Sequence, residues 1–214
     1  MLAGTAAADV TWSASSGTTP ESVGWSYVGG TPPAISGGEL SLGPTSYSGV
    51  SYYSFDLDPL ALDPAMGIAL EIDVRIDAAT YGNQSGFLRG GFEMYYENEA
   101  GAYAIAEMGE SAVALRTANA GLSSPSAVID TTSMIRTYRL DVVGTSAAFS
   151  VDGSPLLSTT FGGATSLGTM YFGDVTVLGS STAGVTGVRI IAVPSPATAG
   201  LLVAASAIGI RRRR

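Results

Sequence analysis

The chain has 214 residues, 28 of them Gly, with neither Cys nor His, and its formal net charge at pH 7 is −8. Four of its ten basic residues end the chain, and leaving out these four cations changes −8 to −12, which argues against a nucleic-acid partner. The absence of His excludes Ser-His-Asp and Cys-His nucleophiles and an ordinary zinc site, so catalysis would have to depend on carboxylates, Tyr or Arg.

Residues 1–8 are predicted to be the remnant of a secretory signal peptide. In MLAGTAAAD, three small residues, Ala6 to Ala8, precede Asp9, as at a signal-peptidase cleavage site. The basic n-region and most of the apolar h-region of such a signal are missing from this stretch. The alternative interpretation is an Ala-rich leader without structure.

Residues 9–192 are predicted to form one antiparallel β-sandwich domain. Short β-prone runs are separated by Gly, Ser, Asn, Asp and Pro, and no run has the period of an amphipathic helix. Asp152-Gly153 and Gly144-Thr145 are predicted to be hairpin turns. The predicted strands are 24–29, 39–42, 50–57, 67–76, 87–98, 102–108, 112–117, 126–130, 136–143, 147–152, 155–160, 167–177 and 185–193.

Charged and aliphatic residues alternate in LEIDVRID, residues 70–77. On a strand, Glu71, Asp73 and Arg75 therefore share one face, and carboxylates two residues apart lie about 6.7 Å from each other along the backbone. Paired carboxylates cleave glycosidic bonds, but one of the pair must be a neutral acid. Because Arg75 keeps neighbouring carboxylates charged, the favoured interpretation is a solvated polar face.

Aromatic side chains that stack on sugar rings are a second kind of candidate. In FEMYYENE, Tyr95 alternates with Met94 and Tyr96, so half of these aromatic residues are expected in the core. The aromatic candidates are Trp12, Trp25, Tyr52, Tyr53, Tyr95 and Tyr96. The predicted glycan contacts are Glu71, Asp73, Arg75 and Tyr95.

Acidic residues in FDLDPLALDP are candidate calcium ligands. Asp56, Asp58 and Asp63 lie close together along the chain, and Asp174 is a fourth candidate. Their spacing is not that of an EF-hand loop, so the alternative is that these residues form turns. No cofactor other than calcium is predicted.

The C-terminal residues 193–214 are predicted to form a separate tail with a short hydrophobic helix. After Pro194-Ser195-Pro196, residues 197–210 are uncharged and mostly apolar. A helix of 14 residues is about 21 Å long, shorter than the hydrocarbon core of about 30 Å. Four basic residues follow this run and are predicted to flank the membrane: Arg211, Arg212, Arg213 and Arg214. Arg clusters stay on the cytoplasmic side, so this pattern predicts that the preceding residues lie outside the inner membrane.

This order of parts resembles the PEP-CTERM sorting tail of Gram-negative bacteria: Pro-x-Pro, a short membrane run and a basic cluster. Ser195 stands where that family most often has Glu. The resemblance implies processing by an exosortase-type enzyme, transient residence in the inner membrane, and a final place at the cell surface or in the extracellular matrix of a bacterium that makes exopolysaccharide. The alternative is an ordinary C-terminal membrane tail.

The body resembles the concanavalin-A-like or laminin-G-like jelly roll. Residues 138–157 contain YRL on one strand and VDG at the end of the next, and the late motifs at 172–174 and 188–190 fit the last places of that fold. The resemblance implies a jelly-roll sandwich and, from laminin-G-like folds, a calcium site at its rim. Another kind of β-sandwich is the alternative.

Laminarinase-like glycoside hydrolases share this jelly roll and carry Glu-x-Asp-x-Glu or Glu-x-Asp-x-x-Glu on one strand. Glu71 and Asp73 match the first two positions, but the last Glu is absent because Arg75 and Ile76 occupy its places, and Asp77 is one residue too far. We therefore predict a non-catalytic, exported protein of the cell envelope or extracellular matrix with a carbohydrate-binding role. The alternatives are a laminarinase-like hydrolase and a purely structural surface protein.

Overall fold

A computed structural model of the protein describes residues 9–43, 49–60, 67–81, 91–118, 124–160, 168–175 and 179–193. Within these ranges the chain forms fifteen strands in two antiparallel sheets, which confirms the predicted all-β sandwich. Three short 3₁₀ helices connect strands at Ala14–Ser16, Pro20–Val23 and Asp58–Leu60. The strands are β1 Val10–Ser13, β2 Ser26–Gly29, β3 Ala34–Ser36, β4 Glu39–Leu42, β5 Ser51–Asp56, β6 Gly67–Tyr81, β7 Phe92–Asn98, β8 Tyr103–Met108, β9 Ala112–Thr117, β10 Ser126–Val128, β11 Arg136–Val143, β12 Ser146–Val151, β13 Ser154–Thr160, β14 Gly168–Asp174 and β15 Gly179–Val193.

The strands are divided between two sheets, which we name sheet A and sheet B. Sheet A has the order β13-β12-β11-β6-β15-β4-β3, with β1 also paired to β15, and sheet B has the order β10-β9-β8-β7-β14-β5-β2. The chain crosses between the sheets from β5 to β6 and again from β6 to β7. Long-range pairs result, such as β1 with β15, in which Val10 is opposite Ile190, and β6 with β15, in which Gly67 is opposite Val193.

Alternation of side chains puts the core between the sheets. On β6, Ile72, Val74 and Ile76 are fully buried, while the charged residues between them face outward. In the core, the Phe172 ring lies 4.9 Å from Trp25 and 5.2 Å from Tyr53, measured between ring centroids. Burying each large apolar side chain stabilises the fold by roughly 1.5–3 kcal/mol.

The two predicted hairpin turns are confirmed. Asp152 and Gly153 have φ of 51° and 75°, the left-handed conformation that a two-residue turn between β12 and β13 requires. The Asp152 carboxylate accepts hydrogen bonds from the Arg136 side chain at 2.7 Å and the Thr137 backbone N–H at 3.1 Å, which fixes the turn against β11. Gly144, with φ of 58°, turns the chain between β11 and β12.

Several elements differ from the sequence prediction at their ends. β1 and β3 were not predicted, because strands of four and three residues at the margin of a sheet carry too little alternation. β6 continues past the predicted end at Ile76, and β15 begins before Val185. These added segments are polar or small, and they pair with each other from Tyr81 opposite Gly179.

Both predicted terminal segments lie outside the described residues. They are residues 1–8 and the tail 194–214, with its predicted helix. In the part of the chain that is described, no helix is long and apolar enough to span a membrane. The following tail residues therefore stay sequence predictions: Pro194, Ser195 and Pro196 as the sorting motif, and Arg211, Arg212, Arg213 and Arg214 as the membrane-flanking cluster.

Candidate functional site

Four tyrosines form a row across the outer face of sheet B. The ring centroids of Tyr52 and Tyr171 are 5.8 Å apart, those of Tyr171 and Tyr95 are 5.0 Å apart, and those of Tyr95 and Tyr103 are 5.9 Å apart. The guanidinium carbon of Arg116 continues the row, 5.8 Å from the Tyr103 ring centroid. One residue comes from each of five adjacent strands, so the row is about 19 Å long at a strand spacing of about 4.8 Å. We call these five residues the tyrosine row.

Strand register and side-chain alternation place the row on the outside. Tyr171 on β14 is opposite Tyr95 on β7, which is opposite Ile105 on β8, which in turn is opposite Arg116 on β9. Met94, next to Tyr95 along β7, points the other way and is fully buried in the core. The row therefore depends on pairings between distant parts of the chain.

The phenols of Tyr95 and Tyr171 are neutral at physiological pH. Burial, followed by a hydrogen bond to Glu97 and its charge, raises the pKa of Tyr95 well above its usual range. The Tyr95 hydroxyl donates to Glu97 Oε2 at 3.0 Å. Burial also raises the pKa of Tyr171. These rings are suited to stacking and hydrogen bonding, and they are poorly suited to act as nucleophilic phenolates.

A buried group of charges lies at one end of the row. Glu93 and Glu107 are directly opposite each other on β7 and β8, on the outer face of sheet B, and they are 0% and 1% exposed. Arg116 donates to Oε1 of Glu107 from Nη2 at 2.8 Å and from Nε at 3.1 Å. Burial alone lowers the pKa of Arg116, but the carboxylates of Glu107 and Glu93 outweigh it, so the net shift is upward and the guanidinium stays charged.

Two cavities flank the row. The Arg116 cavity has a volume of about 290 Å³ and is lined by Glu93, Tyr95, Tyr103, Ile105, Arg116 and Val175. The acidic cavity lies beside Tyr171, has a volume of about 210 Å³, and is lined by Tyr171 and by the carboxylates of Asp56, Asp58, Glu97 and Glu99, among others. Aromatic rings with convergent polar groups are what a sugar-binding surface requires.

A larger cavity lies away from the row and offers less chemistry. Its volume is about 530 Å³, and it lies between the β2–β3 connection and the start of β5. Its described lining contains no charged side chain and one aromatic residue, Tyr27. The Tyr27 hydroxyl is already hydrogen-bonded to Ser51 and to the Thr31 carbonyl, both at 3.1 Å. We therefore place the candidate site on the tyrosine row, although this cavity is the larger one.

The four predicted glycan contacts lie on two different faces of the protein. Tyr95 belongs to the tyrosine row on sheet B, whereas Glu71, Asp73 and Arg75 are on the outer face of β6 in sheet A. Arg75 donates from Nε to the Asp77 carboxylate at 2.7 Å. The sandwich core separates the two groups, so these residues do not form one site.

Glu71 and Asp73 are both held by cations on neighbouring strands. Arg189 Nη2 lies 2.7 Å from a Glu71 carboxylate oxygen and 3.2 Å from one of Asp73. The Thr137 hydroxyl donates to Asp73 at 2.6 Å. Both carboxylates are thus engaged by partners within sheet A. This arrangement agrees with the interpretation of the strand as a charge-balanced polar face.

The remaining aromatic candidates are mostly core residues. Trp12, Trp25, Tyr53 and Tyr96 are between 0% and 3% exposed. Their rings pack inside the sandwich and are not available to a ligand. Of the six aromatic candidates, Tyr52 and Tyr95 face outward.

The predicted calcium ligands do not come together among the described residues. Asp56 accepts a hydrogen bond from the Asp58 backbone N–H at 3.0 Å, as a turn-forming residue does. Asp56 is opposite Thr169 on β14, whereas Asp174 is at the far end of that strand. Asp63 lies outside the described residues. Within the described part of the chain, no group of three or more acidic side chains is arranged to hold a metal.

Four residues of the site were missed by the sequence prediction: Tyr103, Glu107, Arg116 and Tyr171. The alternation in YAIAEM and GTMYFGD places Tyr103, Glu107 and Tyr171 on one face of their strands. That signal exists in the sequence, but it does not say which strands are neighbours. Only the order β5-β14-β7-β8-β9 joins them into a row.

No known protein family matches the chain by its sequence profile, and no curated protein matches it. Solved structures with a similar fold include a carbohydrate esterase from the Shiga toxin-encoding bacteriophage phi24B, with a TM-score of 0.62, 13% identity, and coverage of 87% of this chain and 98% of that chain. The Crh5 transglycosylase in complex with NAG is similar with a TM-score of 0.59 and 13% identity over 86% of this chain and 84% of that chain. A sialidase matches with a TM-score of 0.59 and 9% identity over 86% of this chain and 18% of that chain. At these identities the likeness establishes the shared jelly-roll-like fold alone.

Proposed function

We propose that the protein is a non-catalytic carbohydrate-binding protein and that the tyrosine row is its binding surface. The observation that supports this proposal is the continuous line of Tyr52, Tyr171, Tyr95 and Tyr103 across adjacent strands. The rings are tilted against one another by 38° to 70°, so the row offers both ring faces and ring edges to successive rings of an extended polysaccharide. The phenol hydroxyls and Arg116 supply hydrogen bonds to its hydroxyls.

Binding to soluble polysaccharides tests this proposal. Affinity electrophoresis and calorimetry with a panel of glucans, mannans and galactans should detect binding at millimolar concentration or better. Tyr95→Ala, in the middle of the row, should weaken binding by about two- to tenfold, because a stacked ring contributes roughly 0.5–1.5 kcal/mol. Tyr95→Phe keeps the ring and should lose less. Glu71→Gln on sheet A is the control and should bind as the wild type does.

Two other outcomes would replace the proposal. Release of reducing sugars that Glu71→Gln abolishes would establish a hydrolase that uses the β6 carboxylates. Absence of binding to every polysaccharide of the panel would favour a purely structural surface protein. Glu71 and Asp73 are both engaged by Arg189 on the neighbouring strand.

We propose further that the protein is exported and sorted by its C-terminal tail. The support is the sequence alone: a Pro-x-Pro motif, the apolar run 197–210, and the basic cluster Arg211, Arg212, Arg213 and Arg214. In this proposal an exosortase-type enzyme processes the tail while it resides in the inner membrane, and the body then reaches the cell surface or extracellular matrix. Cell fractionation of the full gene product tests it. Replacing the four Arg with Ser should weaken retention in the inner membrane, and an intact protein in the cytoplasm would contradict it.

A further inference from the structure

The guanidinium of Arg116 lines the Arg116 cavity, and its positive charge at first suggests that the cavity binds an acidic sugar. The cavity has a volume of about 290 Å³, close to the lower end of the range of small-molecule sites, so it suits a single sugar ring. The half-buried rings of Tyr95 and Tyr103 flank it. Whether the guanidinium is free to pair with an anion decides which kind of sugar the cavity accepts.

Arg116 is already engaged by a carboxylate of the protein. Two of its nitrogens, Nε and Nη2, donate to the same oxygen of Glu107, which is 1% exposed. A buried Arg–Glu pair of this kind is electrically balanced, and separating it would leave a buried charge without its partner. The carboxylate of Glu93 adds to the negative field at the guanidinium. Arg116 is therefore not free to neutralise an incoming anion.

The rest of the tyrosine row also disfavours anions. A chain that lies along the row from the Arg116 cavity passes the acidic cavity at Tyr171, where Asp56, Asp58, Glu97 and Glu99 are grouped. The hydroxyl of Tyr95 is bound to one of these carboxylates, Glu97, so the two cavities are directly linked. Each acidic group on the ligand would approach like charges.

We infer that the tyrosine row selects polysaccharides without acidic groups, with Arg116 serving as a fixed hydrogen-bond donor to sugar hydroxyls. Glu107 is the positioning residue that holds the guanidinium and balances its charge. This inference rests on the proposed function, and it names the substrate class of the same site. Uronate and sulfated polymers are the ligands that it excludes.

A matched pair of ligands tests the inference. A soluble neutral β-glucan and the same glucan oxidised at C6 to uronate differ in charge but share their backbone. We expect the wild type to bind the neutral polymer at least about tenfold more tightly at low salt. We also expect the difference to shrink as salt is raised, because ions screen the repulsion. The panel includes galactomannan and its oxidised derivative as a second pair.

Two single-charge variants locate the effect. Glu107→Gln removes the partner of Arg116, and Glu97→Gln removes a carboxylate that lines the acidic cavity. Both variants should bind the oxidised polymers several-fold more tightly than the wild type does. Glu71→Gln changes the charge equally on sheet A, farther away than the Debye length of about 8–10 Å, and should leave the preference unchanged. Thermal unfolding verifies that each variant is folded. Glu97 is only partly buried, so its variant keeps the test valid even where Glu107→Gln does not fold.

The binding results distinguish failure of this inference from failure of the proposed carbohydrate-binding function. Equal or tighter binding of the oxidised polymers by the wild type would overturn the inference, because Arg116 would then act as an anion receptor, while the proposed carbohydrate-binding function would stand. Binding of neither member of any pair would overturn the proposed function and the inference with it. A preference for neutral polymers that disappears in Glu97→Gln but not in Glu71→Gln would support the inference.

Discussion

Arg116 and Arg75 both form ion pairs, but their surroundings differ. Glu107, the partner of Arg116, is 1% exposed, whereas Asp77 and Glu39, the two partners of Arg75, have 44% and 27% of their side chains exposed. Removing one member of a buried pair leaves the other charge in a medium of low polarity, whereas removing a surface partner leaves a charge that water solvates. Replacing each arginine therefore compares the stability lost from a buried Arg–carboxylate ion pair with that lost from an exposed one.

Arg116→Ala should lower the free energy of unfolding by about 3–5 kcal/mol, because it leaves Glu107 buried without its cation. Arg75→Ala, the control, should lower it by no more than about 1 kcal/mol. Urea unfolding at pH 7 measures both. Equal losses in the two variants would show that the Glu107 carboxylate reaches solvent or another cation.

Tyr138→Phe should protect the fold at alkaline pH. Burial, the largest cause, raises the pKa of Tyr138 to about 12 from an ordinary value of 10.0. Between these values the native state keeps a proton that the unfolded chain releases, so stability is full below pH 10 and falls as the pH rises toward 12. The Tyr138 hydroxyl makes no hydrogen bond to a described residue, so the variant should stay within about 1 kcal/mol of the wild type at pH 7. At about pH 11, midway through that window, it should be the more stable of the two in urea.

Tyr96→Phe is the comparison for this prediction. Burial raises the pKa of Tyr96 to about 12 as well, so its variant should lose the same sensitivity to alkali. If neither variant is more stable than the wild type at about pH 11, the loss of stability in alkali has another cause than these two buried phenols.

At the scale of the strands, local pattern predicted more of the structure than of the site. The alternation in LEIDVRID places Ile72 and Val74 inside and Glu71 outside, as the sequence predicts. Pairing is a long-range property, and nothing local indicates that residues 168–174 lie between residues 51–56 and 92–98. For this reason the sequence prediction found Tyr95 but grouped it with residues of the other sheet.

Gly173 on β14 shows how tightly the strands of the row are packed. Its φ is 124°, and a Cβ there would lie 2.5 Å from the Ser51 carbonyl oxygen and 2.8 Å from Tyr52 Cα. Gly173→Ala should therefore destabilise the fold by about 2 kcal/mol or more and weaken polysaccharide binding by displacing Tyr52. Urea unfolding and calorimetry measure the two effects.

Gly144→Ala is the matched control for the packing effect. Gly144 also has a positive φ, of 58°, but a Cβ there would meet no atom within 4 Å. Its variant should lose only the stability of about 1–2 kcal/mol that a side chain costs in the left-handed backbone conformation. Polysaccharide binding should be unaffected. If Gly173→Ala keeps full binding, the position of Tyr52 does not depend on the close approach of β14.

At the scale of the whole molecule, the two outer faces differ in kind. Sheet A presents arginines and carboxylates that balance one another, such as Arg189 between Glu71 and Asp73. Sheet B presents aromatic rings bordered by acids. Composition predicted an acidic protein and the alternation predicted polar outer faces, but the division of the aromatic residues onto one face follows only from the sheet order.

The sandwich should fold without the tail. The last strand, β15, ends at Val193 opposite Gly67, where its partner β6 begins, so this pairing is complete before Pro194. The buried residues of the core all lie between Trp12 and Ala192 among those described. Deleting residues 194–214 should therefore change the melting temperature by no more than about 2 °C, which corresponds to about 0.5–1 kcal/mol for a domain of this size. It should also raise solubility, since it removes the apolar run 197–210.

Truncation at two places makes this prediction specific. A chain ending at Val193 keeps all of β15, whereas a chain ending at Gly187 removes Val188 and Ile190, both fully buried, together with most of the β1 pairing. Losing two buried aliphatic side chains and a strand pairing should destabilise the fold by more than about 4 kcal/mol. Calorimetric unfolding of the three chains should rank the full chain and the Val193 chain together, far above the Gly187 chain. If the Val193 chain unfolds as readily as the Gly187 chain, the apolar run is part of the core, and the proposed sorting of the protein by its tail fails.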